Sequence, residues 1–408
     1  MPSPQHDEDK WVYPTPIEDL EAWLDGSWQW FDPGIKPFWD EFQPAFEKEY
    51  PNLKVTRIEI PAARYWDQIV VLATAGPAPD LIHGTALKVK QFMAMDVLDP
   101  LDDHMDTDAA FANSYEAQRT FAEANGNIYA YITGARTLQM IYNKMLFDEA
   151  GISGPPTNPD DFLAYARKLT KPGENQFGVG LKANITHYED TYDCVLQFPA
   201  GYGSNFVEDG KIMTTDPNTI KGVELYKKML NEKLSPVVLE AANREILFNN
   251  KMAMYIDGPW IFTEAKLDHP DTYKNLRGTA TPFENKAAIG GANHFLMIPK
   301  DAKNKAGAAE FIKMWNELEW QRRHCMITGL VVASPEGIPA EKVEQDPWFQ
   351  AFVDGMDTAV APIPEGFETQ ASKFVKIIVE AVLDEIVSQN KPTYEVMEKI
   401  IPELEAVR

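Results

Sequence analysis

Asp257 and Trp260 flank a Gly258-Pro259 pair in the stretch NNKMAMYIDGPWIF, residues 249–262. Met252, Met254 and Ile256 alternate with Ala253 and Tyr255, which predicts a short strand that the Gly-Pro pair must end. An indole just past a strand end offers a flat apolar platform, and a carboxylate beside it can accept from two hydroxyls. Plainer uses stand beside these: Asp257 as a turn former capping backbone N–H groups, Trp260 as a plug under the loop. Two more strand ends carry similar groups. Trp30 and Asp32 share one side of SWQWFD (27–32), with Phe31 on the other. Asp32 is either a ligand contact or the N-cap of the following helix. His83 and Thr85 flank Gly84, and a neutral imidazole can hydrogen-bond a hydroxyl. The seven histidines show no HxH or HxxxH spacing, so no metal site is expected.

The elements that position these groups alternate. IKPFWDEFQPAFEKEY (35–50) places Phe38, Phe42, Phe46 and Tyr50 on one helical face despite Pro44. LKVTRIEI (53–60) reads as a strand, ARYWDQIVVLATA (63–75) as a helix, DLIHGT (80–85) as a short strand and LKVKQFMAMDVL (87–98) as a helix. With the strand at 27–32 this is a β-α-β-α-β-α order, the pattern of a parallel sheet covered by helices. Such sheets take ligands beyond the carboxyl ends of their strands, where Asp32 and His83 fall. Further on, 137–152 reads as strand then helix. Residues 158–170 form a helix with Asn158 as N-cap and Pro159 at its first position. Helices follow at 216–232, 240–248 and 304–318, with a strand at 294–299 entered through IGGAN (289–293). Two amphipathic helices close the chain.

At 408 residues the chain exceeds what one core usually serves, so two domains are expected. Acidic residues outnumber basic ones 62 to 38, a net of −24, which argues against nucleic acid as a partner. The two cysteines, Cys194 and Cys325, lack CxxC spacing and read as buried free thiols. MPSPQHDEDKWVYPTPIEDL lacks the basic and apolar regions of a signal peptide. No GxSxG, HExxH or GxxxxGK[ST] motif appears.

Six stretches in order resemble the extracellular solute-binding proteins of ABC importers, the maltose- and oligosaccharide-binding group called family 1. They are YWDQIVVLATAGPAPDLIHG (65–84), VLDPLDDHM (97–105), MIYNKMLFDEAGISGPPTNPDDFLAYARKLT (140–170), FNNKMAMYIDGPWIF (248–262), GGANHFLMIPKDAKNKAGAAEFIKMW (290–315) and TGLVVASPEG (328–337). The resemblance implies an α/β fold of the periplasmic-binding-protein type, two lobes joined by a hinge with a ligand cleft between. On this sequence the lobes would be 1–134 plus 289–330, with 1–26 an extension, and 135–288 plus 331–408. It implies a monomer that captures a sugar or oligosaccharide by hinge closure and hands it to a membrane permease, without cofactor or catalysis. The missing signal is then a trimmed one, and the protein periplasmic or lipid-anchored.

By family position Trp260 lines the cleft and Arg136, in YITGARTLQ (131–139), lies at the first lobe crossing. A guanidinium suits vicinal hydroxyls, but equally a carboxylate or phosphate, and its plainer use is a salt bridge. PAGYGSN (199–205) presents Tyr202 from a glycine-flanked loop, and GGANH (290–294) brings Gly291, Asn293 and His294 to the cleft. Glycines there also simply let a crossing strand turn. The competing ligand is an anionic glycoside or sugar phosphate, captured by Arg136, Lys182 or His294 against the global charge. A glycoside hydrolase is the competing class, but no carboxylate pair stands out at the strand ends.

Overall fold

A computed structural model describes residues 5–7, 10–12, 20–23, 34–57, 68–69, 71, 78–112, 114, 122–238 and 240–408. The chain forms two compact units, Met1–Ala135 with Ala292–Pro339, and Arg136–Gly291 with Ala340–Arg408.

In the first unit the strand Leu20–Trp23 pairs in parallel with Val55–Arg57 and with Leu81–Gly84. Of the α/β order read from the sequence, the helices near 35–50 and 87–98 and the strands near 53–60 and 80–85 are present, and a further strand, Leu20–Trp23, lies inside the segment read as an extension. SWQWFD, with Trp30 and Asp32, lies outside the described residues. The strand Ala288–Met297 adds antiparallel, setting Leu296 opposite His83. The helix Lys36–Glu49 runs through Pro44 and buries Phe38, Trp39, Phe42 and Phe46. These rings interlock with Phe311 and Trp315 of the helix Lys305–Asn316, at centroid separations of 4.6–6.0 Å. Edge-to-face and offset geometries of this kind add to what area burial alone contributes.

The second unit has a three-stranded sheet in which Gln139–Asn143 lies between Met254–Asp257 and Leu276–Thr279, antiparallel to both. Its strands are wholly buried at Met254–Asp257, which is why the run MAMYI is apolar on both faces. The helix Pro159–Leu169 begins where expected: Asn158 Oδ1 accepts from the Asp161 N–H at 2.9 Å, and Pro159 occupies the first turn. The helices Pro217–Asn231 and Glu240–Phe248 also stand close to their expected spans. One reading needs correction. Pro199–Gly201 form the last turn of the helix Tyr188–Gly201 rather than a loop, because that helix buries an unbroken run from Thr191 to Gly201. Near the C-terminus the helix Ala371–Glu380 continues into a π-helical turn, Ala381–Ser388.

Candidate ligand-binding site

The strand Met254–Asp257 delivers Asp257 fully buried at its end, and Gly258-Pro259 turns the chain at once into the helix Trp260–Asp268. Trp260 is thus the first residue of a helix, and its indole folds back over the turn. A Cβ on Gly258 would fall 2.1 Å from the Trp260 ring, so only glycine leaves room for it there. Asp257 Oδ1 accepts from its neighbour's N–H, Gly258, at 2.8 Å, the turn-forming use read from the sequence. The same oxygen lies 3.4 Å from Lys182 Nζ, in a pair that is almost wholly buried. Among the described residues Asp257 Oδ2 accepts no hydrogen bond, and its nearest cation is Arg244, Nε at 3.9 Å. Arg244 also bridges to Glu264 at 3.3 Å.

Among the described residues, Trp260 Nε1 and Asn243 Oδ1 near this strand end are also buried without a hydrogen-bonding partner. Asn243 precedes Arg244 on the helix Glu240–Phe248 and donates through Nδ2 to the Leu181 carbonyl, next to Lys182. Buried polar groups are nearly always satisfied in folded proteins, so three such atoms near one strand end make it the candidate for a ligand contact.

Arg136 joins the same electrostatic neighbourhood. Its Nη2 donates to Asp193 Oδ2 at 2.6 Å, with the arginine side chain 21 % exposed and the aspartate 8 %. Burial would lower the Arg136 pKa, but the carboxylates of Asp193, Asp190 and Asp257 outweigh it and raise the pKa above its ordinary value. Cys194, buried beside Lys182, Asp193 and Asp257, is pushed up to about 12 by burial and so stays an inert thiol. Asp193, Asn243, Arg244 and Glu264 were not read from the sequence. The signal for Asp193 was present, a lone charge inside the otherwise uncharged YDCVLQF.

Tyr202 is placed apart from these contacts. It is half-buried, packs on Phe283 at 5.8 Å and lies under Lys221, whose Nζ is 4.3 Å from the ring centre. Gly291 has φ +133°, a conformation that a side chain would strain, so its conformational use is real.

In the first unit His83 and His294 form a buried couple, with His83 Nε2 3.3 Å from His294 Nδ1. Burial drives the His83 pKa down to about 3, so this imidazole is neutral at any physiological pH. His294 packs on Gly134, where a Cβ would come within 3.1 Å of its ring. Thr85 holds the N-cap position of the helix Ala86–Ala94 without capping it through its side chain. Asn293 lies on the strand Ala288–Met297, and its side chain is outside the described residues. Among the described residues no group of three or more His, Cys, Asp or Glu could hold a metal ion, and no helix is long and apolar enough to cross a membrane.

Residues 44–351 match the bacterial extracellular solute-binding protein family. A putative binding protein of Brucella abortus is 26 % identical over 344 residues, 81 % of each chain. An ABC transporter solute-binding protein from Thermotoga lettingae, solved with α-D-tagatose, superposes with a TM-score of 0.81 at 21 % identity, covering 96 % of this chain and 99 % of that one. The maltose-bound MalE3 of T. maritima gives 0.83 at 16 % identity, covering 96 % and 100 %.

Proposed function

We propose that this chain, which belongs to the bacterial extracellular solute-binding protein family, captures a sugar or oligosaccharide and delivers it intact to the permease of an ABC importer. The observation that carries the reading is the set of three unsatisfied atoms at the end of Met254–Asp257. Asp257 Oδ2 and Asn243 Oδ1 accept, and Trp260 Nε1 donates. A hydroxyl both donates and accepts, so a polyol satisfies all three, while the indole covers its C–H face. Sugars bound by similar proteins, tagatose in one and maltose in another, support the same chemistry.

An anionic ligand is the weaker reading. Of the cations named for it, Arg136 is paired with Asp193 and Lys182 with Asp257. His294 sits in a buried couple with His83. Catalysis has no support from the site, where the carboxylates are tied to cations rather than held ready for proton transfer.

A thermal-shift screen of mono-, di- and oligosaccharides, followed by calorimetry, tests the proposal. Trp260→Ala should cost at least about tenfold in affinity, near 1.4 kcal/mol, with the melting temperature little changed. Unchanged affinity removes the indole from the site. Recovering the ligand chemically altered after incubation would make the protein an enzyme. Capture by closure of the two units belongs to the same proposal. A radius of gyration that does not fall on saturation with ligand would remove that part.

A further inference from the structure

We propose that Asp193 sets the charge preference of the site: paired with Arg136, it makes a cationic fork into a donor for neutral hydroxyls and turns anions away. The inference rests on the sugar-binding reading above and on the sequence expectation that Arg136 contacts the ligand.

A half-buried guanidinium left to itself attracts carboxylates and phosphates, because its fork matches their two oxygens and its charge is only weakly screened. Here one edge of that fork is taken. Arg136 Nη2 meets Asp193 Oδ2 at 2.6 Å, and Asp193 is nearly closed to solvent. Asp190, one turn earlier on the helix Tyr188–Gly201, acts on the guanidinium with the same sign, and Asp257 adds to it from the strand end. The positive groups of the neighbourhood are Arg136, Lys182 and Arg244. Its negative groups are Asp190, Asp193, Asp257 and Glu264.

An anion reaching Arg136 must displace Asp193 or lie beside it, and either course sets like charges together where water screens them poorly. A hydroxyl meets no such penalty. Only one N–H of Arg136 is committed among the described residues, so the remaining donors of the fork can serve a neutral ligand. The charge is cancelled while the hydrogen-bonding capacity is kept. Asp193→Asn preserves the shape and one acceptor oxygen and removes only the charge, which makes it the informative change.

The experiment is calorimetry on the wild type, Asp193→Asn, Arg136→Ala and the double variant. D-tagatose, maltose and raffinose serve as neutral probes, D-glucuronate and D-glucose 6-phosphate as anionic ones, each at low and high salt. The expected result is that the wild type disfavours the anionic probes. Asp193→Asn gains at least about tenfold for one of them, the gain shrinks as salt rises, and the double variant loses it. A folded Asp193→Asn that gains no anionic affinity overturns the proposal. So does a wild type that binds an anionic probe as tightly as any neutral one, a result that needs no variant. Should Asp193→Asn lose its thermal transition, Asp193→Ser carries the same comparison. An Arg136→Ala protein that binds every probe as the wild type does removes Arg136 from the site and takes the inference with it. Unchanged anion discrimination in Asp193→Asn, with Arg136→Ala still losing the neutral sugars, would sink the inference alone.

Discussion

The two units bury polar groups at comparable depth by opposite means. In the first, His83 and His324 are buried as neutral imidazoles, His83 against His294 and His324 against Phe38 and Trp315. In the second, the groups around the strand end are buried charged and in pairs, Lys182 with Asp257 and Arg136 with Asp193. A neutral group needs only to give up its proton, whereas a buried charge needs a partner that cannot be taken away cheaply. The first arrangement is therefore sensitive to pH and the second to mutation of either partner.

The largest expected effect breaks a pair in the second unit. Lys182→Met leaves the Asp257 carboxylate buried without its closest cation, and should destabilise the protein by about 3 to 5 kcal/mol in urea unfolding. Lys182→Met with Asp257→Leu should recover part of that loss, since the stranded charge is gone. A single-variant cost below about 1 kcal/mol would show that the pair matters no more than a surface bridge.

Acid sharpens the contrast from the other side. His83 and His324 take up a proton in the unfolded chain near pH 6.5 but in the folded protein only near pH 3, because burial lowers both. Between those values the unfolded state binds more protons. Stability is complete above about pH 6.5 and falls as pH drops toward 3. Each histidine should cost about 1.4 kcal/mol per pH unit, so about 2 kcal/mol at pH 5. Unfolding midpoints at pH 7.5 and pH 5 measure the sum, and His83→Asn should flatten the difference by roughly half. Hydrogen exchange at pH 5 should loosen the first unit before the second. The reverse order would mean that the charged pairs, not the imidazoles, are the acid-sensitive part.

The smallest effect is a control on both. Arg323 and Glu41 form a two-point bridge on the surface of the first unit, with Nε–Oε2 at 2.6 Å and Nη2–Oε1 at 2.8 Å, about half exposed. Arg323→Gln should cost at most about 1 kcal/mol and less at high salt, as a melting curve in two buffers will show. A larger loss would undo the argument that depth, rather than pairing as such, separates the two regions.

Local patterns in the sequence determined the pieces. Aromatic spacing placed the helix Lys36–Glu49, Asn158-Pro159 started the helix Pro159–Leu169, and Gly258-Pro259 ended the strand that carries Asp257. Each rests on backbone geometry or periodicity within a few residues, which any reader of the chain can see. The same locality misled at Pro199–Gly201, where burial along the helix Tyr188–Gly201 overrode turn-forming residues. The strand Leu20–Trp23, inside the segment that the resemblance set aside as an extension, is likewise held by pairing with two partner strands. What only the tertiary structure decided is which polar groups meet. Arg136 and Asp193 are 57 residues apart, Lys182 and Asp257 75, His83 and His294 211. Nothing near any of these residues in the chain specifies its partner, because the choice is made by the packing that closes those long loops and shuts out water.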